Sequence, residues 1–121
     1  MALIKRFQIS FPGIVYDMDL GVEIANAQAF VEVGRRRVRL FGGLVRHKGI
    51  GAESLAFTLA HETGHHLGGR PKLKFYTWLS SEARATEWAT NTGLPGVFGL
   101  AHGARIARRG RLQLDALRLI D

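Results

Sequence analysis

The chain has no cysteine, which excludes disulfides and every thiolate metal site. Any ion it holds must therefore sit on nitrogen and oxygen. Long apolar runs are missing too. None approaches the roughly 18 residues that suggest a membrane span, so no membrane partner is expected. Acidic residues are few, 10 against 17 lysines and arginines, for a formal net charge of +7, which makes acidic partners the ones to consider. Interleaved aromatics, the mark of base stacking, are lacking from both arginine clusters. These are Arg35-Arg36-Arg37 with Arg39, and Arg105, Arg108, Arg109 and Arg111. They read as a solvated hairpin face and a basic tail, with nucleic-acid contact the less favoured reading.

What is present is an ordinary globular composition, 46% hydrophobic and 22% charged over 121 residues. That length is one domain, 1–121, with a single modest core. No repeat or low-complexity tract interrupts it. Met1-Ala2-Leu3-Ile4-Lys5-Arg6-Phe7 places its charges after an apolar stub, the reverse of a secretory signal. With the missing cysteines, this points to the cytoplasm.

Leu3 to Ile9 alternates near a period of two and is expected to be a strand, and Phe11 to Glu23, with Pro12, Gly13 and Gly21, a loop. Gln28 to Val33 and Arg37 to Phe41 form an expected hairpin turning at Gly34-Arg35. Arg37 and Arg39 alternate with Val38 and Leu40, as when one face packs and the other is wet. Gly42-Gly43 breaks the second strand, and Leu44-Val45 extends it past a bulge. From Ala52 to Leu67 the period becomes helical, with Leu55, Ala56, Leu59, Thr63 and Leu67 as the buried stripe. His61 and His65 share a different face with Ser54, Phe57 and Thr58. Gly68-Gly69 and Pro71 supply stop chemistry. A second helix starts at Ser80 or Ser81 and runs to about Thr92, where Gly93 and Pro95 end it. From Gly103 onward the pattern fits a helix or, in part, a strand, with Leu112, Leu114, Leu117 and Ile120 as its apolar set.

The chemistry concentrates in His61-Glu62-Thr63-Gly64-His65. On a helix, positions four apart stand one above the other, so His61 and His65 can grip one cation from the same side. Glu62 lies a quarter turn away, near enough to reach a water beside that cation. This is the H-E-x-x-H pattern of zinc peptidases. A catalytic zinc takes three protein ligands and keeps one open position, so a third ligand is required. The continuation H-E-x-x-H-x-x-G-x-x-H matches through Gly68 and fails at Pro71. The remaining candidates are Glu82 and Glu87, with Asp115 and Asp121 too remote in pattern. Glu82 shares a helix face with Ala85, Thr86, Ala89 and Gly93, whose small side chains permit close approach to a neighbouring helix. Glu87 points more than 100° away and reads as a surface carboxylate. The expected metal ligands are thus His61, His65 and Glu82, with Glu62 the expected general base. His66 reads as a core or supporting histidine, and Trp78 and Trp88 as packing residues. Tyr76 and His102 are weak candidates for stabilising an oxyanion.

His61 to Gly69, followed by Ser81-Glu82-x-x-Ala85-x-x-Trp88-Ala89, resembles the gluzincin side of the zincin metallopeptidases. It is most similar to the small, minimal gluzincins of the ImmA/IrrE-like group. The resemblance covers roughly residues 50–95. It implies an α+β fold in which a small mixed or antiparallel sheet packs on an H-E-x-x-H helix and a Glu-bearing helix, with zinc (Zn2+) in the cleft. It further implies a metallopeptidase whose edge strand, here Arg37 to Arg46, docks an extended peptide or protein substrate. The chain departs from the family at Thr86, where an acidic residue often supports a histidine ligand. The expected function is therefore zinc-dependent peptide hydrolysis. The alternative is a catalytically weak or inactive zincin scaffold that binds nucleic acid or an acidic protein through its basic surface. A helix whose histidines hold nothing is the third reading.

Overall fold

The computed structural model describes residues 2–117. Helix α1 (Ala2–Ser10) leads into strand β1 (Ile14–Asp19) and the hairpin β2 (Ala27–Glu32) and β3 (Arg35–Phe41). A helical turn, α2 (Gly42–Val45), precedes the long helix α3 (Ala52–Leu67). After an irregular loop come α4 (Glu82–Trp88), a π-helical turn (Ala89–Gly93), α5 (Leu94–Phe98) and α6 (Leu100–Ala116). The class is α+β, and no helix among the described residues is long and apolar enough to cross a membrane.

The sheet has the order β1-β3-β2, with β1 parallel and β2 antiparallel to β3. Ile14, Tyr16, Ala27, Ala29, Val38 and Leu40 are buried on one face, and all of these but Ala29 join Phe57, Leu59 and Ala60 of α3 in one core. The opposite face is charged but matched. Asp17 receives Arg39 Nε at 2.7 Å and lies 3.5 Å from Arg37, which also reaches Glu32 at 3.3 Å. The expected alternation of Arg37 and Arg39 with a packed face therefore holds.

Several expected elements differ. Residues 3–9 are helical rather than extended, because Leu3, Ile4 and Phe7 also satisfy a three-to-four spacing. Phe7 is fully buried while Ile9, which a strand would bury, is 81% exposed. Inside the expected loop of 11–23 lies β1, whose short inward set of Ile14 and Tyr16 is hidden between the turn residues Gly13 and Gly21. Leu44-Val45 turns into α2 instead of extending β3. A Cβ on Gly42 would meet the Leu20 carbonyl at 2.4 Å, so the backbones cross too closely there for a strand with side chains. Gly93 and Pro95 do not end the helical region. Gly93 seats the Trp88 ring, which a Cβ would meet at 2.5 Å, and Pro95 lies in the first turn of α5, where no N–H is needed. Leu67, at the last residue of α3, is 38% exposed rather than buried. The C-terminal pattern resolves as helix α6, which buries Leu114 but leaves Leu112 out; Ile120 and Asp121 lie outside the described residues.

The strand expected to dock a substrate, Arg37 to Arg46, is not an edge. Arg37 to Phe41 is the central strand, hydrogen-bonded on both sides, so it has no edge to offer. Of the two true edges, β1 is blunted by α1. Gln8 Nε2 donates to the Ile14 carbonyl at 2.6 Å and Gln8 Oε1 accepts from the Tyr16 N–H at 3.1 Å. The other edge, β2, faces a cleft.

Candidate metal centre

Helix α3 spans the expected residues and is buried on almost every side. Thr58 and Glu62, four apart, are the partly exposed positions in its middle, and both open into the cleft with His61 and His65. The opposite wall is α4. Its N-cap is Ser81, whose side chain accepts from the Arg84 N–H at 3.2 Å, and Glu82 is its first residue. Gly64 lets the two helices touch: a Cβ there would meet the Ala85 carbonyl at 2.5 Å. Arg84 adds a second tie, donating from Nε to the Gly68 carbonyl at 2.6 Å.

This contact brings His61, His65 and Glu82 together, with their donor atoms all within 4.8 Å of one another. Glu82 Oε2 lies 2.9 Å from His61 Nε2 and 3.1 Å from His65 Nε2. Glu87 points elsewhere and pairs with Arg84. The protonation pattern is constrained by chemistry. His65 Nδ1 is 2.7 Å from the Ser80 carbonyl, which can only accept, so Nδ1 carries a proton. In the neutral ring, Nε2 is then a bare lone pair facing a carboxylate oxygen. Two acceptors at that distance need a positive centre between them, a proton or a metal ion. Without metal, a proton fills that place: burial, the largest single influence, lowers the His65 pKa, but the hydrogen bonds to Glu82 and Ser80 and the charges of Glu62 and Glu82 together outweigh it, and the net shift is upward. Burial likewise works against the Glu82 carboxylate, yet the hydrogen bonds from His61 and His65 prevail and hold its pKa down to about 2.

The donor set suits a small divalent ion. Bonds of about 2.0–2.1 Å in tetrahedral geometry separate ligand atoms by about 3.3 Å, close to the observed spacings of Glu82 Oε2 from the two rings. Each ring is also fixed from behind, as metal-binding histidines usually are. Ser80 clasps His65 twice, through the carbonyl just described and through its N–H, which donates to the His65 carbonyl at 2.7 Å. His61 Nδ1 is 2.9 Å from Thr86 Oγ1. Where the resemblance would place an acidic residue, Thr86 thus offers a hydroxyl to His61 in place of a carboxylate. Thr86 stands one turn after Glu82 on the face turned to α3, which is a readable signal. The Ser80 contact uses backbone atoms and leaves no sequence trace.

Glu62 lines the same cleft. Burial raises its pKa to about 7, against the pull of His61 and His65 and of the Ala29 backbone on β2. His66 is a supporting residue as expected: its Nε2–H donates to the Arg37 carbonyl at 2.7 Å, pinning α3 to β3. Trp88 is buried packing against Phe11, with ring centroids 5.6 Å apart. Trp78 is not packing but stands on the cleft rim with Tyr76. His102 is exposed on α6 against Phe98 and is not among the residues lining the cleft. No family model, curated protein or solved structure matches the chain.

Proposed function

We propose that this chain is a zinc-dependent peptide hydrolase of minimal gluzincin type, acting in the cytoplasm, with His61, His65 and Glu82 holding the metal and Glu62 as general base. The observation that carries the reading is the convergence of His61 Nε2 and His65 Nε2 on one Glu82 oxygen, at 2.9 and 3.1 Å, beside a second carboxylate in an open cleft. Two imidazoles and a carboxylate without thiolate are a known catalytic zinc set. When bound, zinc supplies a Lewis acid that polarises a carbonyl and makes water more acidic. Glu62, which lines the cleft beside His61 and His65, takes a proton from the attacking water and returns it to the departing amine nitrogen.

Asn26 to Val31 contribute six consecutive residues to the cleft wall. A strand face would contribute alternate residues, so β2 presents its edge, and an extended peptide laid along it would gain main-chain hydrogen bonds. Glu62→Gln is expected to retain one zinc per chain and to lose turnover, whereas His61→Ala loses both. Metal content and peptide cleavage, measured on untagged protein, decide it. A Glu62→Gln protein that still cleaves would overturn the assignment.

A second reading, a binding scaffold, is favoured by α6. Arg105, Arg108 and Arg109 are exposed there and form no ion pair among the described residues. Salt-dependent binding of a DNA duplex without any metal-dependent cleavage would select it.

A further inference from the structure

The loop between α3 and α4 carries the most exposed aromatic surface near the site. Tyr76 and Trp78 meet edge to face, with centroids 5.6 Å apart and planes at 90°. They remain 56% and 52% exposed. Leu73 and Leu79 from the same loop and Phe30 and Val31 from β2 continue this apolar wall around a cleft of about 470 Å³, within the range of pockets that take one compact ligand group.

The wall is built rather than loose. The Leu73 N–H donates to the Leu79 carbonyl at 2.9 Å, the Leu79 N–H to the Tyr76 carbonyl at 2.8 Å, and the Ser81 N–H to the Pro71 carbonyl at 2.8 Å. Trp78 is also only two residues from Ser80, whose backbone clasps His65. The aromatic pair therefore sits at a short, fixed offset from the metal donors. The loop contains Arg70, Lys72 and Lys74 and no acidic residue between Gly68 and Ser81.

We propose that Tyr76 and Trp78 form the specificity pocket of the cleft, and that the preferred substrates are extended peptides carrying a large apolar, preferably aromatic, residue beside the bond presented to His61, His65 and Glu82. This rests on the hydrolase reading above for its cleavage consequence, and on the cleft alone for binding. Trp78 is a specificity residue, not a participant in proton transfer.

The test uses the zinc-loaded full chain and two end-blocked pentapeptides, alanine throughout except for a central Phe or a central Ala. The Phe peptide is expected to be cleaved with a kcat/KM at least about tenfold higher. Trp78→Ala should bring the two within about twofold, mainly by raising KM for the Phe peptide. Trp78→Phe should keep most of the preference, which loss of a merely structural residue would not explain. Binding is read separately on the Glu62→Gln protein by calorimetry. Tighter binding of the Phe peptide, abolished by Trp78→Ala, supports the pocket even where wild type cleaves neither peptide, an outcome that removes only the hydrolase reading. Cleavage of both peptides at equal efficiency, unchanged by Trp78→Ala, overturns the pocket and leaves the hydrolase standing. Equal or absent binding of both peptides by the Glu62→Gln protein also overturns it.

Discussion

His65 has two ring nitrogens with different partners, and that difference orders the site. The Ser80 carbonyl accepts from Nδ1–H, which directs Nε2 toward Glu82, where a proton or a metal ion must lie between them. On the side away from Glu82, His61 is held by one hydroxyl, Thr86 Oγ1. Thr86→Ala is expected to weaken metal binding by about 10–100-fold, while Thr86→Ser, which keeps the hydroxyl, restores most of it. Competition with a chromophoric chelator measures both, and an unchanged affinity in Thr86→Ala would remove Thr86 from the site. A second buried hydroxyl acts on the fold instead. Thr63 Oγ1 donates to the Leu59 carbonyl at 2.7 Å, so its one proton is committed and the Tyr16 hydroxyl, 2.6 Å away, must donate to it. Burial raises the Tyr16 pKa above its ordinary value of 10.0. Because the folded state holds that proton more tightly, the contribution is complete below about pH 10 and is lost as pH rises beyond it. Tyr16→Phe should cost about 1–2 kcal/mol at neutral pH and make the alkaline loss of stability shallower. Urea unfolding at pH 7 and above pH 10 compares the slopes, and equal slopes would contradict the assignment.

Helices α3 and α4 act as a pair because glycine stands at their crossing. Gly64 occupies one of the unspecified positions of the H-E-x-x-H pattern, yet the Ala85 backbone occupies the space where its side chain would be. Gly64→Ala must separate the helices, and overpacking of this kind costs about 1–3 kcal/mol. The same displacement carries Glu82 away from His61 and His65. The expected result is a lower melting temperature together with weaker metal binding, from a residue that touches no ligand atom. A variant with reduced stability but unaltered affinity would mean that α4 follows α3 rigidly. At the sheet, the elements divide their roles just as plainly. β3 is the centre, β1 is covered by Gln8, and β2 alone turns an edge to the cleft.

In the molecule as a whole, the three residues that could hold an ion come from two helices joined by a long loop, so an ion that binds them binds the folded state. At a free metal concentration 100 times Kd, that linkage adds about 2.7 kcal/mol, on the order of 10 °C in Tm for a chain of this size. Zinc is expected to raise the melting temperature of the apo protein by that order, and a chelator to reverse it. His61→Ala should melt at one temperature with or without zinc. A His61→Ala protein that retained the shift would place the ion elsewhere.

The amino-acid sequence by itself determined the local features. The spacing of His61, Glu62 and His65, the helix from Ala52 to Leu67, the hairpin from Gln28 to Phe41 and the preference for Glu82 over Glu87 all follow from periodicity and the nearest few neighbours. Where two periods competed, as at Leu3 to Phe7, or where turn residues crowded a short strand, as around Ile14 to Asp19, local pattern favoured the wrong element because burial settles such cases. Only the tertiary structure decided that β3 is central and β2 the open edge, that the Ser80 backbone orients His65, and that Tyr76 and Trp78 wall the cleft. Each of those depends on contacts between residues distant in the chain or on backbone atoms common to every residue, and neither leaves a periodic trace in the order of side chains.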